Sequence, residues 1–123
     1  MAASSASSRL LRAAYNYATS LLHLKHFQEG KSLMRRTLPV AQRVLGESSE
    51  LALMMRSNYG MALQKDDGAT LDDLRENVAM LEDADRIARR VLGSAHPTAV
   101  TLAAVLRKAR AALRARETPS PRE

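Results

Sequence analysis

Ala41-Gln42-Arg43-Val44-Leu45-Gly46 returns 47 residues later as Ala88-Arg89-Arg90-Val91-Leu92-Gly93, and this recurrence decides the fold. Upstream of each copy a second segment recurs, Asn16-Tyr17-Ala18-Thr19-Ser20-Leu21 as Asn58-Tyr59-Gly60-Met61-Ala62-Leu63, at an offset of 42. The difference between the offsets falls in Lys65-Asp66-Asp67-Gly68-Ala69-Thr70, a polar connection that is longer in the second unit. Insertions between repeated elements belong in loops, so the two offsets describe one internal repeat.

Each unit reads as two helices. The first helix is expected over about Ser8–His26, with Leu10, Leu11, Ala14, Tyr17, Ala18, Leu21 and Leu22 at helical spacing. The second runs from about Phe27 to Leu45 and stops at Gly46, which can take the left-handed conformation of a C-terminal cap. Pro39 lies inside it, so a kink is expected there, or a break with Thr37 capping a new turn. A third helix, about Ser49–Lys65, starts with Ser48 or Ser49 as N-cap and Glu50 on the positive dipole end. The fourth, about Leu71–Leu92, opens on the capping-box pattern Thr70-Leu71-Asp72-Asp73 and ends at Gly93. The fifth begins with Pro97 in its first turn and runs to about Arg116. Residues 1–7 and 117–123 are expected to be disordered, leaving 8–116 as one helical domain.

Composition agrees with an all-α chain. Ala, Leu and Met supply 45 of the apolar residues against seven Val or Ile, an alphabet that favours helices and is poor in what pleated sheets use. Aromatic residues are 3% of the chain, so the core must form from many small, close contacts. With no Cys, disulfides, thiolate metal sites and cysteine nucleophiles are excluded. The net charge of +6 invites a nucleic-acid reading, but the excess lies at the two ends of the chain. Between Asp66 and Asp85 stand eight acids and one Arg, a stretch that a duplex-binding domain would rarely place in its middle.

Paired helices at this period, with small residues Ala18 and Gly60 in the first helix of each pair, resemble tetratricopeptide repeats. The turn Val91-Leu92-Gly93-Ser94-Ala95-His96-Pro97 is similar to that of the kinesin-light-chain type. The matching first turn lacks the His-Pro, and Asn77 stands where Gly30 fills the small position of the second helix. The resemblance implies a short right-handed superhelix of five antiparallel helices, two and a half repeats. It also implies that the first helices line a concave groove that binds an extended peptide. Carried over residue by residue, the groove positions are Arg12, Asn16, Thr19 and His23, then Met54, Asn58, Met61 and Lys65, with Lys108 on the fifth helix. Spacings of four, three and four keep each set on one helical stripe. In the family the Asn pair brackets a peptide backbone through an amide that both donates and accepts. The alternative is that Asn16 and Asn58 are solvated or bonded to neighbouring helices.

The expected function is a non-enzymatic protein-interaction scaffold, with an acidic or carboxylate-terminated peptide as the partner suited to Arg12, Lys65 and Lys108. Two competing readings are a basic helical nucleic-acid-binding protein using Arg107, Lys108, Arg110, Arg114 and Arg116, and an oligomerisation module in a larger assembly. Arg107 replaces the small residue of the earlier units and, with Arg110 and Arg114, reads as the polar outer face of an end cap. Two and a half units leave the first helix open, so a homodimer or a longer array would cover it. No G-x-S-x-G, P-loop or Gly-rich phosphate turn occurs, and no cofactor is implied. His23 and His26, three apart, could share a metal, but no Cys and no nearby acid is read as completing a site; His96 is expected to satisfy backbone groups in its turn. No stretch is apolar enough to span a membrane. The Ser-rich, Arg-bearing start has no acid before Glu29, as in organelle transit peptides, but the repeat claims most of it for the first helix, which favours a cytoplasmic chain.

Overall fold

The computed structural model describes residues 5–118. These form five helices: α1 (Ser5–His23), α2 (Phe27–Leu45), α3 (Glu50–Gln64), α4 (Leu71–Val91) and α5 (Pro97–Glu117). Consecutive helices pack antiparallel, and α3 sits at the centre, touching α1, α2, α4 and α5. Among the described residues no helix is long and apolar enough to cross a membrane.

The central place of α3 follows from its sequence. Apolar or small residues surround it, so it presents a buried surface on opposite sides. Leu51, Ala52 and Met55 join Leu11, Ala18, Met34, Leu38 and Ala41 in a cluster with α1 and α2. Leu53 faces the other way, into a second cluster with Leu81, Ala84, Ile87 and Ala88 of α4 and Ala99, Leu102, Val105, Leu106 and Ala109 of α5. Two small cores on either side of one helix suit a chain with so few aromatics.

Most helix ends are set by the expected side chains. Ser49 caps α3, its Oγ accepting from the Ala52 N–H at 3.1 Å. Thr70 and Asp73 form the reciprocal capping box at the start of α4, with bonds of 3.0 and 2.9 Å. The backbone bond holds the Asp73 carboxyl below its ordinary pKa, so its charge stays on the positive end of the helix. His96 caps α5, its Nδ1 accepting from the Thr98 N–H at 3.1 Å, beside Pro97 in the first turn. Gly46 and Gly93 follow α2 and α4 with φ of 95° and 94°, values that a side chain resists.

Three local expectations need correction. The first helix ends at His23 rather than His26, because the chain reverses there through a Schellman closure. The His26 N–H bonds to the Leu21 carbonyl and the Lys25 N–H to that of Leu22, with Lys25 left-handed at φ 63° in a place usually held by glycine. At Pro39 there is no break: α2 runs through it, and the Thr37 hydroxyl donates back to the Leu33 carbonyl at 2.7 Å instead of capping a new turn. Pro39 stands on the exposed face, where a carbonyl deprived of its donor can turn to water. Finally, Ser5–Ser7 and Glu117 are helical, since nothing before Pro119 breaks α5 and the Arg75 guanidinium holds Glu117 at 3.3 Å. The rest of the expected terminal disorder lies outside the described residues.

Asn77 explains its own departure from the small-residue pattern. Its Nδ2 donates to the Gly60 carbonyl at 3.2 Å, and a Cβ on Gly60 would come within 3.1 Å of its Oδ1 and 2.9 Å of Leu81. The missing side chain on α3 makes the room that a polar residue on α4 fills.

Candidate functional site

The odd-numbered helices lie side by side, α1 against α3 and α3 against α5, while α2 and α4 have no direct backbone packing. Along the odd helices runs a trough made of two adjoining cavities of about 270 and 290 Å³. Thr19, Asn58 and Met61 line both and join them. At one end the walls are Tyr15, Met54 and the start of α5 at Thr98 and Thr101. The other end is closed by the α1–α2 turn, with His23, Lys25, Phe27 and Lys65.

Of the nine positions picked from the sequence, Thr19, His23, Met54, Asn58, Met61 and Lys65 line this trough. Arg12, Asn16 and Lys108 are exposed and line neither cavity. The two Asn residues therefore differ. Asn58 is buried, and its Nδ2 donates to the Thr19 hydroxyl at 2.8 Å, which in turn donates to the Tyr15 carbonyl at 2.9 Å. That chain of bonds fixes the plane of the Asn58 amide and ties α3 to α1. The buried Ser57 Oγ, also on the trough, has no hydrogen-bond partner among the described residues.

The trough has a charged end. Lys65 sits 5.9 Å from the centre of the Phe27 ring, a cation–π contact that holds its ammonium near the mouth, and Lys25 stands on the facing turn. Tyr15, Phe27 and Lys25 were not among the sequence candidates. Phe27 is the sole Phe of the chain and could have been noticed on that ground; Lys25 could not, because only the left-handed turn brings it here.

Two polar clusters anchor the frame around the trough. Asp66, in the α3–α4 connection, accepts from Lys31 Nζ at 2.5 Å, Gln28 Nε2 at 2.7 Å and the Gly68 N–H at 2.9 Å, tying the connection to α2. The Lys31 bond holds the Asp66 carboxyl below the ordinary carboxylate range. A lowered folded-state pKa means stability that is present above the unfolded value of about 4 and lost as the pH falls through the folded one. Asp66→Ala is accordingly expected to cost about 1–2 kcal/mol at neutral pH, with the gap to the parent chain narrowing below about pH 4. Urea midpoints across that range would show it; a gap independent of pH would mean that charge at Asp66 contributes nothing. The other cluster centres on Arg56 of α3, paired with Asp83 of α4 and Glu47 of the α2–α3 turn. Near the turn, His26 Nδ1 pairs with Glu29 at 3.0 Å, an acid that the sequence reading passed over.

No protein-family model, curated protein or solved structure matches this chain.

Proposed function

We propose that the chain is a non-enzymatic interaction scaffold, a short tetratricopeptide-like array that binds an extended acidic peptide along α1, α3 and α5. The observation that carries this reading is the trough itself: six of the nine expected groove residues line it. Close approach of the odd helices, without packing between α2 and α4, supports a curved array whose inner face is the odd one. The walls combine apolar side chains with hydroxyls and one fixed amide, which suits a backbone with small side chains. Lys65 and Lys25 at one end give that peptide a direction, with its acidic residues beside the α1–α2 turn.

The test is a set of labelled peptides of equal length, acidic, neutral and basic, titrated against the purified chain. The acidic member is expected to bind most tightly. Lys65→Glu and Met61→Asp should each weaken it roughly tenfold or more, while Arg114→Glu at the far end of α5 leaves it unchanged. Failure of every peptide to bind, or equal loss at Arg114, contradicts the groove. A duplex oligonucleotide run beside them covers the phosphate-binding alternative, whose affinity would fall steeply with salt. That alternative is weakened by Arg110, which already pairs with Glu82 at 3.0 Å.

A further inference from the structure

The outer face of α1 carries the largest exposed apolar side chains of the described residues, and they are in register. Leu10, Tyr17 and Leu24 are 72%, 58% and 67% exposed and are spaced by seven, so they form one stripe. Leu24 belongs to it although α1 ends at His23, because its N–H still bonds to the Ser20 carbonyl at 3.0 Å. Beside this stripe, on α2, stand Glu29 and Arg36, also spaced by seven and exposed. A shallow cavity of about 220 Å³ joins the two helices here, lined by Tyr17 and Leu21 on α1 and by Glu29, Ser32, Leu33 and Arg36 on α2. The mid-point of the apolar stripe, Tyr17, therefore shares this cavity with the mid-point of the charged pair, Ser32–Leu33.

That coincidence defines a self-complementary surface. A two-fold axis lying in the plane of a contact, across α1 and α2 at this level, would set each helix antiparallel to its copy. Leu10 would then face the partner's Leu24, Tyr17 the partner's Tyr17, and Glu29 the partner's Arg36 in both directions. An isologous interface requires this kind of pairing, in which each contact occurs twice. We propose that the α1–α2 face is the homodimer interface of this protein. Opposite charge across the axis selects a second copy as the occupant, since the same face pairs Glu29 with Arg36 only when α2 meets itself antiparallel. The proposal does not rest on the peptide groove, which opens on a different surface of α1.

The test is the molar mass of the full chain by sedimentation equilibrium, with helical content followed by circular dichroism as a folding control. A dimer is expected, reduced to a monomer by Leu10→Glu with Tyr17→Glu. Glu29→Arg and Arg36→Glu, made singly, each set like charges across the axis and should raise the dimer dissociation constant roughly tenfold or more. Mixing the two single variants restores opposite charge in both contacts, and the mixture should associate more tightly than either alone. Combining both changes in one chain should likewise restore self-association. A chain that stays monomeric overturns the proposal and leaves the face to a different protein. A dimer indifferent to the reversals, or a mixture that gains nothing, overturns it equally.

Discussion

Leu81→Ala is expected to cost about 3–4 kcal/mol, the loss of a fully buried leucine together with the cavity it leaves. Leu81 is 0% exposed and lies in the core shared by α3, α4 and α5, where its methyls fill the space opposite Gly60. Against a total stability of about 5–15 kcal/mol this is a large share, and a urea or thermal melt would register it at once. Val100→Ala, at a side chain 54% exposed, should change little. The contact with Gly60 gives a sharper form of the test. In the parent chain a Cβ at position 60 would press on Leu81 at 2.9 Å, so Gly60→Ala gains helix propensity but meets a closed wall. In the Leu81→Ala background the leucine part of that wall is gone and only Asn77 Oδ1 remains close, so the helix-propensity gain of about 0.5–1 kcal/mol is opposed less and Gly60→Ala should be less costly there than in the parent chain. A Gly60→Ala effect identical in both backgrounds would mean that the two residues do not touch.

The second large effect is expected at Arg56. Its side chain is only 7% exposed, yet it reaches Asp83 of α4 at 3.0 Å and Glu47 of the α2–α3 turn at 3.5 Å. With the Gln42 amide turned so that its oxygen faces the guanidinium, α2 joins through bonds of 3.1 and 3.2 Å. One planar fork thus holds three elements, a task that a lysine ammonium cannot reproduce. Removing one member of a fully buried pair costs about 3–5 kcal/mol, because the other charge is left without water. Here Asp83 and Glu47 remain 39% and 66% exposed and can be hydrated, which lowers the expected cost of Arg56→Ala to about 2–3 kcal/mol. Arg56→Lys should recover about half of that. Denaturant midpoints would decide; an Arg56→Ala change within 0.5 kcal/mol of the parent, on the order of an ordinary surface substitution, would show that the cluster is ornamental.

Much of the frame was legible in the sequence because it depends on local chemistry. Ser49, Thr70 and His96 start helices by accepting from nearby backbone donors, Pro97 suits the first turn because it has no N–H to satisfy, and Gly46 and Gly93 end helices by adopting a positive φ. What was missed depends on distance. Nothing around Arg56 marks it as buried, since arginine on a helix is ordinarily solvated and its partners lie on three separate elements. Asp66 reads as a loop acid until Lys31 and Gln28 are seen to reach it from α2. Asn58 is the instructive case for the site. The spacing placed it on one face of α3 with Met54, Met61 and Lys65, but sequence could not show that Thr19 would claim its amide nitrogen while Asn16 stayed exposed outside the trough.

The methionines allow the groove to be tested by direct observation. Met54 and Met61 line the trough, whereas Met34 and Met55 are 0% exposed in the core shared by α1, α2 and α3. A titration of the methyl-labelled chain with an acidic extended peptide, followed by methionine methyl NMR, reports both environments together. Saturable shifts of the Met54 and Met61 resonances are expected, with Met34 and Met55 unmoved. Shifts confined to Met80, on the opposite cleft between α2 and α4, or no shift at any methionine, would contradict it.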